Sequence, residues 1–331
     1  MFLHRQRKRG SSGWAFIMKS DFIYSLDNKR YHTLNYHILQ KFGSRVFKAV
    51  IDAGFTCPNI DGTLGFGGCT YCTSGAAEFT NPSDVSVSAQ IELEKQRIYK
   101  KWGRVPVIAY FQAHTNTYAD LSKLKRLYEE ALSVQGVVGL SIATRPDCLD
   151  DEKISYLKEL SQKTYLTVEL GLQTAFDETA KKINRGYLFD AFEHTFNKLK
   201  QNGIRVCVHL INGLIDETPQ MMIQTAKTLG KMKPDAVKIH LLHIMKGTVC
   251  QKEYEDLKLI PMTIEDYIKT VCEQLRYLPP ECVIERITGD GSKENLIAPR
   301  WSTNKIAVLG GIDKFMEENN IYQGDKCHTI D

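Results

Sequence analysis

Three cysteines crowd into sixteen positions of this chain, where AGFTCPNIDGTLGFGGCTYC leaves eleven residues between Cys57 and Cys69 and two between Cys69 and Cys72. The other six, Cys148, Cys207, Cys250, Cys272, Cys282 and Cys327, are scattered. In an intracellular chain a disulfide framework is a poor account of such thiols, so metal binding is the leading reading of the triplet. A structural zinc site normally closes its tetrahedron with four protein ligands. A four-thiolate iron–sulfur cluster likewise takes four cysteines. Three thiolates on a 4Fe–4S cluster leave one iron open, and a small molecule can chelate there through an amine and a carboxylate. Gly62, Gly65, Gly67 and Gly68 let the loop wrap closely around an inorganic core. Tyr71 can cover the cluster or an adenine beside it. The competing reading is a zinc-ribbon-like knuckle with a fourth ligand from elsewhere, Cys148 or His114, because C-x-x-C pairs are common metal elbows.

The elements that must position this loop follow an alternating rhythm. Runs rich in β-branched and apolar residues fall at 46–51, 105–112, 137–144, 165–173, 205–212 and 236–244. Helical patterns fill the gaps at 88–101, 119–132, 151–162, 174–183, 190–201 and 219–232. Asp150 and Thr218 stand where N-caps belong, and Gly203 and Gly230 stand where helices should stop. Six βα units imply a parallel sheet, open or closing toward a barrel. Strings such as VPVIAYF and VCVHLI fit strands buried on both faces. Reactive groups in such folds collect beyond the carboxyl ends of the strands, which is where the cysteine loop lies. Past Met245 the rhythm weakens, leaving a helix over 264–275, a strand over 283–287 and a helix over 304–318. The expected division is a basic extension over 1–17, a core barrel with its lead-in over 18–245, and a closing C-terminal extension over 246–331.

Charge says little about partners. Arg5, Arg7, Lys8 and Arg9 account for the whole formal net charge of +4, so the remaining chain is neutral and carries no global nucleic-acid footprint. The extension reads either as a disordered basic arm or as a sequence ahead of a true start at Met18. No apolar run is long enough to span a bilayer or to serve as a secretory signal, so the expectation is a cytoplasmic protein without a membrane. Lys95, Arg97, Tyr99, Lys100, Lys101, Trp102 and Arg104 interleave bases with aromatics, as an RNA-facing surface would. Such a stretch is more often a solvated helix face. Lys181, Lys182 and Arg185 form a second modest patch.

The cysteine loop, with an aromatic before its last cysteine, resembles the radical S-adenosylmethionine (SAM) superfamily. Within it the chain resembles the Elp3-like branch and its YhcC/YtqA group, to which the MnmL-type tRNA-modifying enzymes belong. The strings that carry this are YHTLNYHILQKFGSRVFKAVIDAGFTCPNIDGTLGFGGCTYC, AYFQAHTNTYA, SIATRPDCL, VELGLQT, INGLIDET, ERITGDG and APRWSTNK, which together span nearly the whole chain from Tyr31. The loop after Cys72, TSGAAEF, departs from a more glycine- and acid-containing version in the group.

The fold this resemblance implies is α/β, a partial (β/α)6 barrel with a small C-terminal α+β extension. The implied cofactors are one 4Fe–4S cluster and SAM, with a low-potential electron donor as a partner. The implied activity is reductive cleavage of SAM to a 5′-deoxyadenosyl radical that abstracts hydrogen from the substrate. By the same analogy Gln112 lies where SAM's amino end is held, and Glu169 matches a polar residue at SAM's ribose or amine. Arg145 could pair with a SAM or substrate carboxylate, or hold Asp147 instead. His209, His240 and His243 read as hydrogen-bonded core histidines, one of which could reach the pocket. Arg286 and Trp301 could close the barrel mouth or simply pack. MnmL-type enzymes convert the 5-carboxymethylaminomethyl group of the tRNA wobble uridine to aminomethyl, which makes tRNA the implied substrate. A radical SAM enzyme acting on a small metabolite or peptide, and a non-catalytic metal- or RNA-binding protein, are the alternatives.

Overall fold

A computed structural model describes residues 20–73, 84–289 and 294–327, together with Arg5–Arg7 and Phe16–Met18, which pair as short antiparallel strands. Most of the basic extension therefore lies outside the described residues. Seven strands form one all-parallel sheet in strict chain order: β1 (Phe47–Ile51), β2 (Val107–Phe111), β3 (Val137–Thr144), β4 (Tyr165–Gln173), β5 (Arg205–Asn212), β6 (Ala236–Leu241) and β7 (Val283–Arg286). The first six are the expected βα strands. The seventh comes from the C-terminal extension, which is thus continuous with the sheet through the β6 edge.

The sheet is curled into a half-barrel. In a flat sheet, six intervals of about 4.8 Å would hold the outer strands roughly 29 Å apart. Yet Lys48 Nζ on β1 lies 2.8 Å from Glu285 Oε2 on β7. Helices preceding or linking the strands are α1 (Leu34–Phe42), α2 (Val87–Trp102), α3 (Leu121–Ser133), α4 (Asp151–Lys163), α5 (Asp177–Lys182), α6 (Phe189–Gln201) and α7 (Pro219–Met232). After β6 come α8 (Val249–Glu255), α9 (Ile264–Tyr277) and α10 (Lys305–Glu318). Asp150 and Thr218 do cap their helices, accepting from the backbone N–H groups of Lys153 and Met221. Gly230 does not stop α7, which runs on to Met232 and ends at Lys233 in the left-handed region at φ 53°. The strand expected over 236–244 ends at Leu241, and Ile244–Met245 pairs instead with Leu296–Ala298. His243 therefore sits in the turn between them.

Strand residues alternate between two very different surfaces. On β4, Leu166, Val168, Leu170 and Leu172 belong to the hydrophobic core under the helices, as do Val206, Val208 and Leu210 of β5 and Val237, Ile239 and Leu241 of β6. The intervening positions face the barrel interior and carry Glu169, His209, Lys238 and His240. The strands are buried on both faces, but the inner face is polar.

Candidate active site

The loop from Ile51 to Tyr71 is built by short backbone turns. The Ile60 and Asp61 N–H groups donate to the Cys57 carbonyl at 2.8 and 3.1 Å, and the Cys72 N–H donates to the Cys69 carbonyl at 2.9 Å. Gly68 has φ +75°, and a Cβ there would lie 3.1 Å from Ile60 Cγ1, so the turn needs glycine. Two asparagines lash the loop to the segment after α5: Asn59 Nδ2 donates to the Asn184 carbonyl at 2.6 Å, and Asn184 Nδ2 to the Gly68 carbonyl at 2.8 Å. The Thr70 N–H donates to the Ile183 carbonyl, and the Cys250 N–H to the Thr70 carbonyl, both at 3.0 Å. The loop that follows the first strand is thus carried across the barrel mouth.

Beneath it lies a cavity of about 480 Å³ at the carboxyl ends of the strands, a size suited to a cofactor with its substrate. Cys57, Cys69, Tyr71, Cys72, Gln112, Arg145 and Glu169 all line it. The Cys69 thiol is drawn down to about 7 by hydrogen bonding with Cys72, whose own thiol is pushed up by the same contact. Arg145 Nη1 stands 4.0 Å from Cys57 Sγ and Asn59 Nδ2 3.9 Å from Cys69 Sγ, donors that suit sulfur bearing negative charge. Among the described residues no three His, Cys, Asp or Glu side chains close on a single metal ion. The zinc-knuckle alternative gains nothing from Cys148, whose buried thiol, pushed up to about 12 by desolvation, points at Asp147. Three thiols on the lining of a cavity of about 480 Å³ leave room for a group larger than a single ion. Beyond Thr73, the TSGAAEF segment lies outside the described residues.

The polar expectations sort differently. The Gln112 side-chain amide lines the cavity and has no hydrogen-bond partner among the described residues, which leaves it available to a ligand. Arg145 is already committed: Nε and Nη2 grip both Asp147 oxygens at 2.9 and 2.7 Å, and Nη1 donates to the Arg185 carbonyl at 2.8 Å. The alternative in which it holds Asp147 is what the structure contains. Glu169 is fully buried and accepts from Lys48 at 2.7 Å, Tyr110 at 2.9 Å, His209 at 2.7 Å, Ser141 and Lys238. Burial pushes this carboxyl up, but Lys238 and Lys48 outweigh it and hold it well below the usual range. Five donors leave its oxygens no spare lone pair.

Residue reasoning passed over most of this network. Lys48, Tyr110, Arg205, Lys238 and Glu285 sit in strands that read as apolar runs in the sequence. Glu285 accepts from Lys48 and Arg205 at 2.8 and 3.1 Å, and these cations overcome the upward push of burial to set it at about 2. The available signal was a lone lysine in each of the otherwise uncharged strings FKAVI and AVKIHL, and the Glu285–Arg286 pair that ends VIER. All three histidines, rather than one, line the cavity. The second basic patch is no patch: Lys181 and Lys182 pair with Glu178 and Asp216, and Arg185 is 1% exposed, donating to the Leu172, Thr174 and Tyr187 carbonyls. In α2, Lys95 is buried and Trp102 stacks on Phe47 at the start of β1, at the end of the barrel away from the cavity. Trp301 Nε1 donates to the Met262 carbonyl, tying Arg300–Thr303 to the segment before α9.

Residues 65–229 match the Radical SAM superfamily and residues 234–318 the Radical_SAM C-terminal domain. The chain belongs to the radical SAM superfamily and is an enzyme that uses SAM and one 4Fe–4S cluster. Within that superfamily it falls in the YhcC group. It is 48% identical to YtqA of Bacillus subtilis over 93% of this chain and 96% of that protein. It is 36% identical to YhcC of Escherichia coli over 86% and 91%. A tRNA uridine(34) acetyltransferase of Methanocaldococcus jannaschii is 27% identical over 58% of this chain, a match spanning only 34% of that protein. Among solved structures, archaeal Elp3 of Methanocaldococcus infernus has the same fold, with a TM-score of 0.66 at 17% identity, covering 85% of this chain and 64% of that one. No helix among the described residues is long and apolar enough to cross a membrane.

Proposed function

We propose that this radical SAM enzyme acts on tRNA, converting the 5-carboxymethylaminomethyl group of the wobble uridine to aminomethyl, with a low-potential electron donor as partner. The observation that carries the substrate class is the kinship, over more than half of the chain, with proteins named as tRNA uridine(34) acetyltransferases. Cys57, Cys69 and Cys72 hold the cluster in this reading, and the iron left without a thiolate is where SAM binds. The chemistry these groups would supply when bound is reductive cleavage of SAM and abstraction of hydrogen from the carboxymethyl CH2; return of one electron from that radical to the oxidised cluster and hydrolysis of the resulting imine would release the two carbons as glyoxylate and leave the aminomethyl group.

The chain's own residues do the rest. The Gln112 amide orients SAM, and Tyr71 covers the thiol side of the cavity, backed by the apolar cluster of Ile183, Leu214 and Leu242. Arg145, immobilised by Asp147, keeps a fixed positive charge beside Cys57. Glu169 acts through the groups it holds, fixing His209 and Lys238 along the inner wall. Mass spectrometry of tRNA nucleosides with and without the gene tests the reading. Carboxymethylaminomethyluridine accumulates and aminomethyl derivatives disappear if it is right. An unchanged profile would point to a small-metabolite or peptide substrate.

A further inference from the structure

Two imidazole nitrogens in the cavity have no role in what precedes. His240, on β6, and His243, just past it, each bury Nε2 completely, and neither atom has a hydrogen-bond partner. A buried polar atom without a partner is costly, and these two belong to neighbouring rings that line one cavity, where a ligand group could supply the missing partner. They stand on and just after the sixth strand, flanking Leu242, against whose apolar cluster Tyr71 of the cysteine loop packs.

Among the described residues, cations outnumber acids around them. Arg286, at the end of β7, also lines the cavity; it, His209 and Lys238 act on His240, and Lys305 acts on His243. Among the described residues Glu169 is the acid that acts on His240, and its oxygens are saturated by five donors. Burial keeps both imidazoles neutral, so in the Nε2–H tautomer each presents one donor and no competing charge. Gly289 leaves the rings room, since even an added Cβ would stand 3.4 Å from His243 Cε1 and 3.7 Å from His240 Nδ1.

We propose that His240 and His243 form a substrate subsite in which their Nε2–H groups donate to an anionic oxygen group, the carboxylate of the wobble side chain. This rests on the tRNA reading and deepens it, because the carboxylate is what distinguishes the substrate from its aminomethyl product. The paired imidazoles then set specificity, while SAM occupies the thiol side.

Binding of anticodon stem-loop RNAs to the cluster-loaded, SAM-bound protein tests it. One RNA carries carboxymethylaminomethyluridine at the wobble position and the other aminomethyluridine. Wild type is expected to prefer the first at least tenfold. His240→Ala and His243→Ala should each bring that preference within about twofold while keeping wild-type cluster absorption. His243→Gln, which restores an N–H donor at a similar reach, should regain part of it. A preference surviving in both alanine variants, or absent from the wild type, overturns the subsite. Acetate should compete with the first RNA; competition by inorganic phosphate alone would assign the imidazoles to the RNA backbone and overturn the carboxylate assignment. The nucleoside profile of a deletion strain reads the parent proposal separately, so conversion that proceeds without this preference removes the subsite and leaves the function standing.

Discussion

Replacing Cys57, Cys69 or Cys72 by alanine is expected to abolish the iron–sulfur absorption of anaerobically reconstituted protein and all SAM cleavage. Serine at Cys148, Cys207, Cys272 or Cys282 should leave that absorption in place, because those thiols are buried and, unlike the triplet, do not line the cavity. The candidate ligands were legible in sequence because thiols and their spacing are chemically explicit, and the structure brings all three to one cavity. Tyr71 was legible from its place between the last two cysteines and Gln112 from the family resemblance, and both line that cavity. Glu169 was visible as a carboxylate in an apolar strand, but not its partners, which come from β1, β2, β3, β5 and β6 and meet only once the sheet curls. Glu169→Gln leaves Lys238 without its paired acid and Lys48 with Glu285 alone, and should cost about 3–5 kcal/mol in urea unfolding, as broken buried ion pairs do. A loss under 1 kcal/mol would mean that water reaches the network.

At the scale of elements, the βα rhythm located the first six strands because hydrophobic runs and crossover lengths are local signals. The seventh strand's place was not local: Val283–Arg286 joins β6 across α8 and α9. The cross-barrel loops depend on single conformations in the same way. Gly186 has φ +83°, and a Cβ there would stand 3.2 Å from both Arg145 Nη2 and Asn59 Oδ1. Gly186→Ala should therefore cost at least about 1–2 kcal/mol, the penalty of a left-handed residue, and should weaken cluster retention by displacing Asn59. Helix α2 makes a contrasting case, since its basic and aromatic residues suggested RNA but its C-terminal end sits away from the cavity. Reversing Lys100 and Lys101 to glutamate should change tRNA affinity less than twofold in filter binding, and a loss of tenfold or more would restore the RNA-facing reading.

The whole molecule joins an apolar outer layer of helices to a barrel interior that is charged, hydrogen-bonded and open at one end. This division predicts how stability responds to acid. His37 and His243 are pulled down to about 4 by burial from an ordinary 6.5, so the folded protein binds fewer protons than the unfolded chain between those values. The stability these two rings contribute is complete above pH 6.5 and is lost as pH falls toward 4, while Glu217, pushed up to about 7 by burial, works in the opposite direction. The fall in melting temperature should be smaller in a His37→Gln, His243→Gln protein than in the wild type, and an equal fall would show both rings open to water. The central claim, radical chemistry on a wobble uridine in this cavity, is tested most directly by incubating reconstituted protein, SAM and dithionite with tRNA bearing carboxymethylaminomethyluridine. The account predicts 5′-deoxyadenosine in proportion to newly formed aminomethyluridine, with neither product from the Cys57→Ala protein. Sustained 5′-deoxyadenosine release with the tRNA unchanged would contradict it.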